Sequence, residues 1–228
     1  MQITSWRNSA ALLAALALGA CSDTGPGTTG SLSVTMQQTS QIFAQVAPTL
    51  VADLAGGEAV AVAVAPDTVA SLTVRVTRID VLSEGDSAAA DSSGAWQSLD
   101  LSAPVLVDLA TLPVEGSSPL VIASGRLPVG AYANVRLFVD SAAMTFKGPL
   151  SLGAGASFDA GTVYQVTIPS AAQTGLKTDA SFTVDADSTG TANDVNLLFS
   201  PSSTFQNISV TGNATVTLAP VIRGGGQG

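Results

Sequence analysis

Histidine is absent from this 228-residue chain, which excludes Ser-His-Asp and Cys-His nucleophile systems and zinc held by imidazole. Carboxylate, hydroxyl and lysine chemistry remain. Asp185-Ala186-Asp187-Ser188-Thr189-Gly190 sets two carboxylates two residues apart ahead of a glycine, with Asn193 and Asp194 following. Hard cations want several oxygens from such a turn, so Asp185, Asp187 and Asp194 are the candidate Ca²⁺ ligands. The stretch lacks the third acid and closing Glu of an EF-hand loop, and a polar turn also carries Asp to bond its own backbone. Asp100, Asp108 and Asp140 are the candidates for paired-carboxylate glycoside hydrolysis. The plainer expectation is surface pairing with Arg75, Arg78 and Arg136 on strands of the same sheet. Lys147 and Lys177 would be the bases of a Ser–Lys dyad, but in turns a lysine is solvated and charged, hence a poor base. Trp96, after a long polar loop, is the candidate ligand-binding platform for a sugar, with packing over the core edge as the alternative. No enzyme is expected.

Cys21 is the only cysteine. The run Leu18-Gly19-Ala20-Cys21 follows an apolar stretch from Ala10 and one early cation, Arg7. It resembles the lipobox of bacterial lipoproteins, which implies cleavage after residue 20 and a diacylglyceryl group, with further acylation such as palmitate, on Cys21. The apolar run is short of the roughly 20 residues that cross a bilayer and has the length of a signal-peptide core. Acyl chains would then anchor the protein to the membrane, by about 0.8 kcal/mol per buried CH₂. Ser22 stands where inner-membrane lipoproteins carry aspartate, so the implied address is the outer membrane.

The mature chain would carry 7 Lys plus Arg against 17 Asp plus Glu, a formal charge of −10. Such a surface repels phosphate backbones, so no nucleic-acid partner is expected. With Cys21 acylated no internal disulfide forms. Residues 22–31 hold no apolar side chain to seat them on the domain, so 21–31 read as a lipidated tether; 224–228 read as a flexible tail.

Period-two alternation dominates from Leu32 onward. Ala59–Val64 is apolar on both faces and predicts a covered strand. Leu72-Thr73-Val74-Arg75-Val76 predicts a half-buried one, and the apolar spacing slips by one before Ile79 and Val81, the mark of a β-bulge. Inward rows follow at Leu99/Leu101, Val105/Val107/Leu109, Val135/Leu137/Val139, Tyr164/Val166/Ile168, Phe182/Val184, Val195/Leu197/Phe199 and Val216/Leu218. Turn chemistry separates them at 83–94, 115–119, 147–155, 169–175 and 187–194. Only Gln37–Leu54 reads as partly helical, with Pro48 breaking it. Many short strands with turn punctuation predict an all-β, antiparallel β-sandwich over 32–223.

Four stretches carry a wider resemblance: Trp96–Leu101, Val105–Leu109, Leu127-Pro128-Val129-Gly130-Ala131-Tyr132 running to Leu137, and Ile168–Lys177, with Pro220–Arg223 closing the chain. In order and wording they resemble the bacterial lipoprotein family of domain of unknown function 4382, from about residue 70 to 223. Residues 37–65 then read as an insertion or a diverged start. The resemblance implies a β-sandwich in the style of carbohydrate-binding and transthyretin-like modules, without catalytic residues to transfer. Its motifs read structurally: Pro128 and Gly130 set a turn, Tyr132 caps the core with its hydroxyl satisfied, and Gly175 takes a positive φ.

The expected protein is a lipid-anchored lipoprotein of the bacterial cell envelope, on the periplasmic or outer face. It would be a non-catalytic module binding glycan or an envelope protein through loops opposite the tether. The competing expectation is a structural envelope protein that assembles through its sheet edges.

Overall fold

The computed structural model describes residues 28–41, 59–85, 96–99, 101–152, 155–187, 193–206, 208–212 and 214–225. Cys21, the expected signal segment and Asp100 lie outside them, as do residues 42–54 of the stretch read as partly helical; its start is not helical, since Gln37 and Gln38 are strand in β1.

Two sheets pack face to face. The smaller has the order β15 (Ile222–Gly224), β12 (Asn193–Phe199), β1 (Thr29–Gln38), β6 (Leu120–Pro128). The larger is built on two long strands, β3 (Val69–Ser83) and β7 (Gly130–Phe146), paired antiparallel along their whole length. The expected bulge is there: the β3–β7 register shifts on either side of Val76. At that bend both strands change their second neighbour. β3 pairs first with β5 (Val105–Asp108) and then with β4 (Trp96–Leu99). β7 pairs first with β11 (Leu176–Val184) and then with β10 (Tyr164–Thr167). Beyond β10 the sheet continues through β14 (Val216–Thr217) and β13 (Ile208–Val210) to β2 (Val60–Val62). A bulge adds local twist, so one long sheet serves two halves of the molecule. The hairpin of β8 (Leu150–Ser151) and β9 (Ser157–Phe158) lays Phe158 against Phe146, ring centroids 5.1 Å apart.

The alternating rows meet as a sandwich core. Leu32, Val34, Met36, Val195, Leu197 and Phe199 face inward from the small sheet, and Ile79, Val81, Val135, Leu137, Phe182 and Val184 from the large one. Each contributes about 1.5–3 kcal/mol by leaving water. The sheets draw together at both flanks. A methyl on Gly125 of β6 would stand 2.6 Å from Leu99 Cδ2 of β4, and one on Gly224 of β15 would stand 2.6 Å from the Asp179 carbonyl of β11. Glycine permits both approaches. Tyr132 is buried, donates its hydroxyl to Pro128 O (2.8 Å) and stacks on Phe182; burial raises its pKa. Gly175 has φ +74°.

The all-β sandwich stands, antiparallel in most of its pairings, and four details differ from expectation. The sandwich is not purely antiparallel, because β1–β12 and β10–β14 run parallel; alternation determines which face is buried, not strand direction. Residues 59–64 are not a covered strand. Among the described strands β2 ends its sheet and pairs only with β13, and Val60 and Ala61 are exposed. The tether is shorter than 21–31, since Thr29–Ser31 already pair with Arg126–Pro128 and Gly30 is buried. The tail is seated at its start: Gly224 pairs with Leu197, and Gly225 N donates to Asn196 O (2.8 Å). The ends of the 37–65 stretch belong to the sheets, through Gln37 and Gln38 in β1 and through β2.

Candidate functional site

The acidic turn after β11 is a latch. Asn193 is buried and donates Nδ2 to Ser31 O (2.8 Å) and Asp185 O (2.9 Å), while its Oδ1 accepts from Asp185 N (2.8 Å). Asp187 accepts from Ser31 N (2.6 Å) and pairs with Arg126 (2.7 Å). The Ser31 backbone bond, with Arg126 behind it, holds the Asp187 carboxyl below the usual range. The carboxylate proposed for Ca²⁺ is thus occupied in fastening β1. Asp194 lies in β12, beside Ser33 of β1. Among the described residues no group of three or more acids, Cys or His is placed to hold a metal ion.

The paired-carboxylate candidates are also committed separately. Asp140 pairs with Arg75 as expected, and that hydrogen bond lowers its pKa. Asp108 accepts from Leu72 N (2.9 Å) and Ala110 N (3.1 Å), which fixes the end of β5 against β3. Arg78 and Arg136 turn instead to Asp80, a carboxylate that sequence reasoning passed over. Asp80 is 2 % exposed. It accepts from Arg136 Nη2 (2.8 Å) and Ser98 Oγ (2.7 Å), with Arg78 Nε at 3.2 Å. Pairing register lines up Ser98, Asp80, Arg136 and Lys177 across four strands on the outer face. Trp96 is not an open platform: it is 9 % exposed, with the Arg136 guanidinium 4.2 Å from its ring centroid and Lys177 Nζ at 5.9 Å. Arg78 lies 3.7 Å over Phe138. A signal for this network was present, since Asp80 interrupts an apolar run two residues after Arg78, the spacing that places both on one strand face.

A cleft of about 440 Å³ opens at the far end of β1, at Gln38, nine residues from Thr29. Its floor includes Val69 and Phe205, both buried. Backbone bonds set each wall. The 3-10 turn Pro66–Thr68 is closed by Thr68 N to Ala65 O and joined to the end of β7 by Lys147 N to Thr68 O (2.9 Å). Residues 113–115 run parallel to the end of β1, through Gln38 N to Pro113 O (2.7 Å) and Glu115 N to Gln38 O (2.9 Å). The short helix α1 (Pro201–Phe205) starts from Ser200, whose hydroxyl accepts from Ser203 N and donates to Gln41 O (2.7 Å). With the backbone fixed, the exposed Asp67, Glu115 and Lys147 are free to line the cavity, along with Gln38, Ser40 and Ser202. None of the three charged side chains is in an ion pair among the described residues. Of these, only Lys147 drew notice from the sequence, as a dyad base. The others come from segments far apart in the chain, so no local spacing announces them.

The family model for the domain of unknown function DUF4382 matches residues 56–220, well over half of the chain. The chain belongs to the DUF4382 family. Asp67, Glu115, Lys147 and Ser202 lie inside the DUF4382 match, whereas Gln38 and Ser40 precede it. The match begins ahead of the resemblance seen from about residue 70, so β2 belongs to it and β1 does not. No curated protein matches the chain, and no solved structure does.

Proposed function

We propose that this DUF4382 protein is a lipoprotein of the bacterial cell envelope, anchored through acyl chains on Cys21, that acts as a non-catalytic binding module. Its ligand is a polar chain, a glycan or a segment of an envelope protein, taken up in the cleft at the end of β1. The observation that carries this reading is the contrast in commitment of the charges. Asp80, Asp108, Asp140 and Asp187 are each held by an arginine or by backbone N–H groups, whereas Asp67, Glu115 and Lys147 face one cavity from separate walls. Both signs of charge, an amide and hydroxyls converge there over an apolar floor, the make-up of a site that orients a polar ligand. No base or nucleophile activated by a partner accompanies them among the described residues, which favours binding over turnover. The lipobox-like run at Leu18–Cys21 and Ser22 support delivery to the outer membrane.

Calorimetric titration of the detergent-purified protein with soluble peptidoglycan fragments tests the cleft. Binding by the wild type, with at least about tenfold loss in Asp67→Asn/Lys147→Met, is the expected result. Equal binding by that variant places the ligand elsewhere. Mass spectrometry of the N-terminal peptide tests the anchor: an unmodified Cys21 thiol refutes it.

A further inference from the structure

The small sheet ends on β6, whose ladder partner among the described strands is β1 alone. Exposed edges are usually guarded by charge, proline, a bulge or a covering segment; β6 follows Pro119 and bulges once, at Ile122, where its register on β1 shifts. Here Leu120 (41 % exposed) and Val121 (55 %) stand open, and no residue from Gly116 to Gly125 is ionisable. On a chain of formal charge −9 such a neutral apolar stretch is conspicuous. The charges that bracket it have opposite sign. Along the lane beside β1, Arg126 lies opposite Ser31, Val121 opposite Thr35, and Val114 opposite Gln38, so Glu115 comes level with Thr39. Counted along β1, Arg126 and Glu115 therefore lie four positions to either side of Val121, and the bulge at Ile122 brings Arg126, five residues on in β6, to the same face as Val121.

We propose that β6 is a self-association edge, on which a second copy of this chain adds its own β6 antiparallel about a two-fold axis at Val121. A two-fold contact must be self-complementary, and this lane is. Val121 meets its own copy, Arg126 meets the partner's Glu115 on one face, and the partner's Arg126 meets Glu115. The two four-stranded sheets become one of eight, which satisfies the open backbone groups and covers Leu120 and Val121. Arg126 keeps Asp187 on its other side, so a shared carboxylate pair holds each end. By strand rise the two Thr29 ends emerge about 40 Å apart at opposite ends of the joint sheet, so two anchored copies lie with their strands along the bilayer. This pairing goes beyond the cleft reading and does not depend on it.

The test is thiol cross-linking of the full detergent-purified protein carrying Val121→Cys, with Leu106→Cys on the exposed β5 edge as control. Facing residues of an antiparallel pair come within disulfide range. The expected result is a 121–121 linkage at about ten times the yield of any 106–106 linkage. Arg126→Glu should weaken the dimer about tenfold in sedimentation equilibrium, and Glu115→Arg added to it should restore association. A wild type that stays monomeric at tens of micromolar, a 121 yield no higher than the 106 yield, or failure of the charge reversal to restore association overturns the proposal. Peptide sequencing of the linked species keeps it separate from the anchor: linkage through residue 21 marks a free Cys21 thiol and refutes acylation, without bearing on β6.

Discussion

The two ends of β1 use the same residue types to opposite effect. At the Thr29 end, Asp185, Asp187, Asn193 and Arg126 bond one another and the backbone of Ser31, and Gly30 lies flat beneath them. At the Gln38 end, Asp67, Glu115 and Lys147 surround a cavity whose walls are held by main-chain bonds instead. A polar group stabilises a fold when its partners are supplied within the fold, and is available to a ligand when the backbone is fixed without it. An acidic turn is therefore poor grounds for a binding site until its partners are counted.

The contrast predicts a graded series. Gly30→Ala should be the most damaging, because the new methyl overlaps the Asp185 carbonyl and crowds Val184 and Asn193. A loss of about 3 kcal/mol or more in urea denaturation is expected; a loss under about 1 kcal/mol would show that the latch yields. Asn193→Ala leaves Ser31 O and both backbone groups of Asp185 without their partner, for about 2 kcal/mol in the same assay. Tyr132→Phe, also at this end, keeps the stack on Phe182 and removes one hydrogen bond to Pro128, so about 1 kcal/mol is expected.

Asp187→Asn sharpens the comparison through pH. The native carboxyl titrates below the ordinary aspartate range, so its contribution is present above that range and is lost as pH falls through the lowered native value. The wild type should therefore lose more stability across that acid range than the variant does. Equal acid limbs would mean that the bond to Ser31 is not formed in solution. Least affected should be Asp67→Asn and Lys147→Met, within about 0.5 kcal/mol of wild type. A larger cost would make the far end structural too.

Several local features of the large sheet were legible in residue order. The slip before Ile79 announced the bulge, Tyr132 four residues after Pro128 announced the capped corner, and Gly175 took its turn conformation. These are local relations, decided within a strand or a turn. Trp96 and Asp187 were misjudged because their neighbours come from other strands: Arg136 is 40 residues from Trp96 in the chain, and Ser31 is 156 from Asp187. The run Ala59–Val64 read as covered because apolarity on two faces does not say whether a sheet continues past it.

By itself the sequence determined the class of the molecule: short alternating strands that bury one face, an acidic charge balance and no imidazole. Those follow from composition and from spacing over a few residues, where side-chain period and backbone geometry are coupled. Tertiary structure alone decided that β1, which precedes the family match, is an inner strand of the small sheet. It also turned the acidic turn into the fastening of that strand, and left β6 as an edge among the described strands. Each depends on which strand lies beside which, a choice made by packing energy summed over the whole core, which no short window of residues contains.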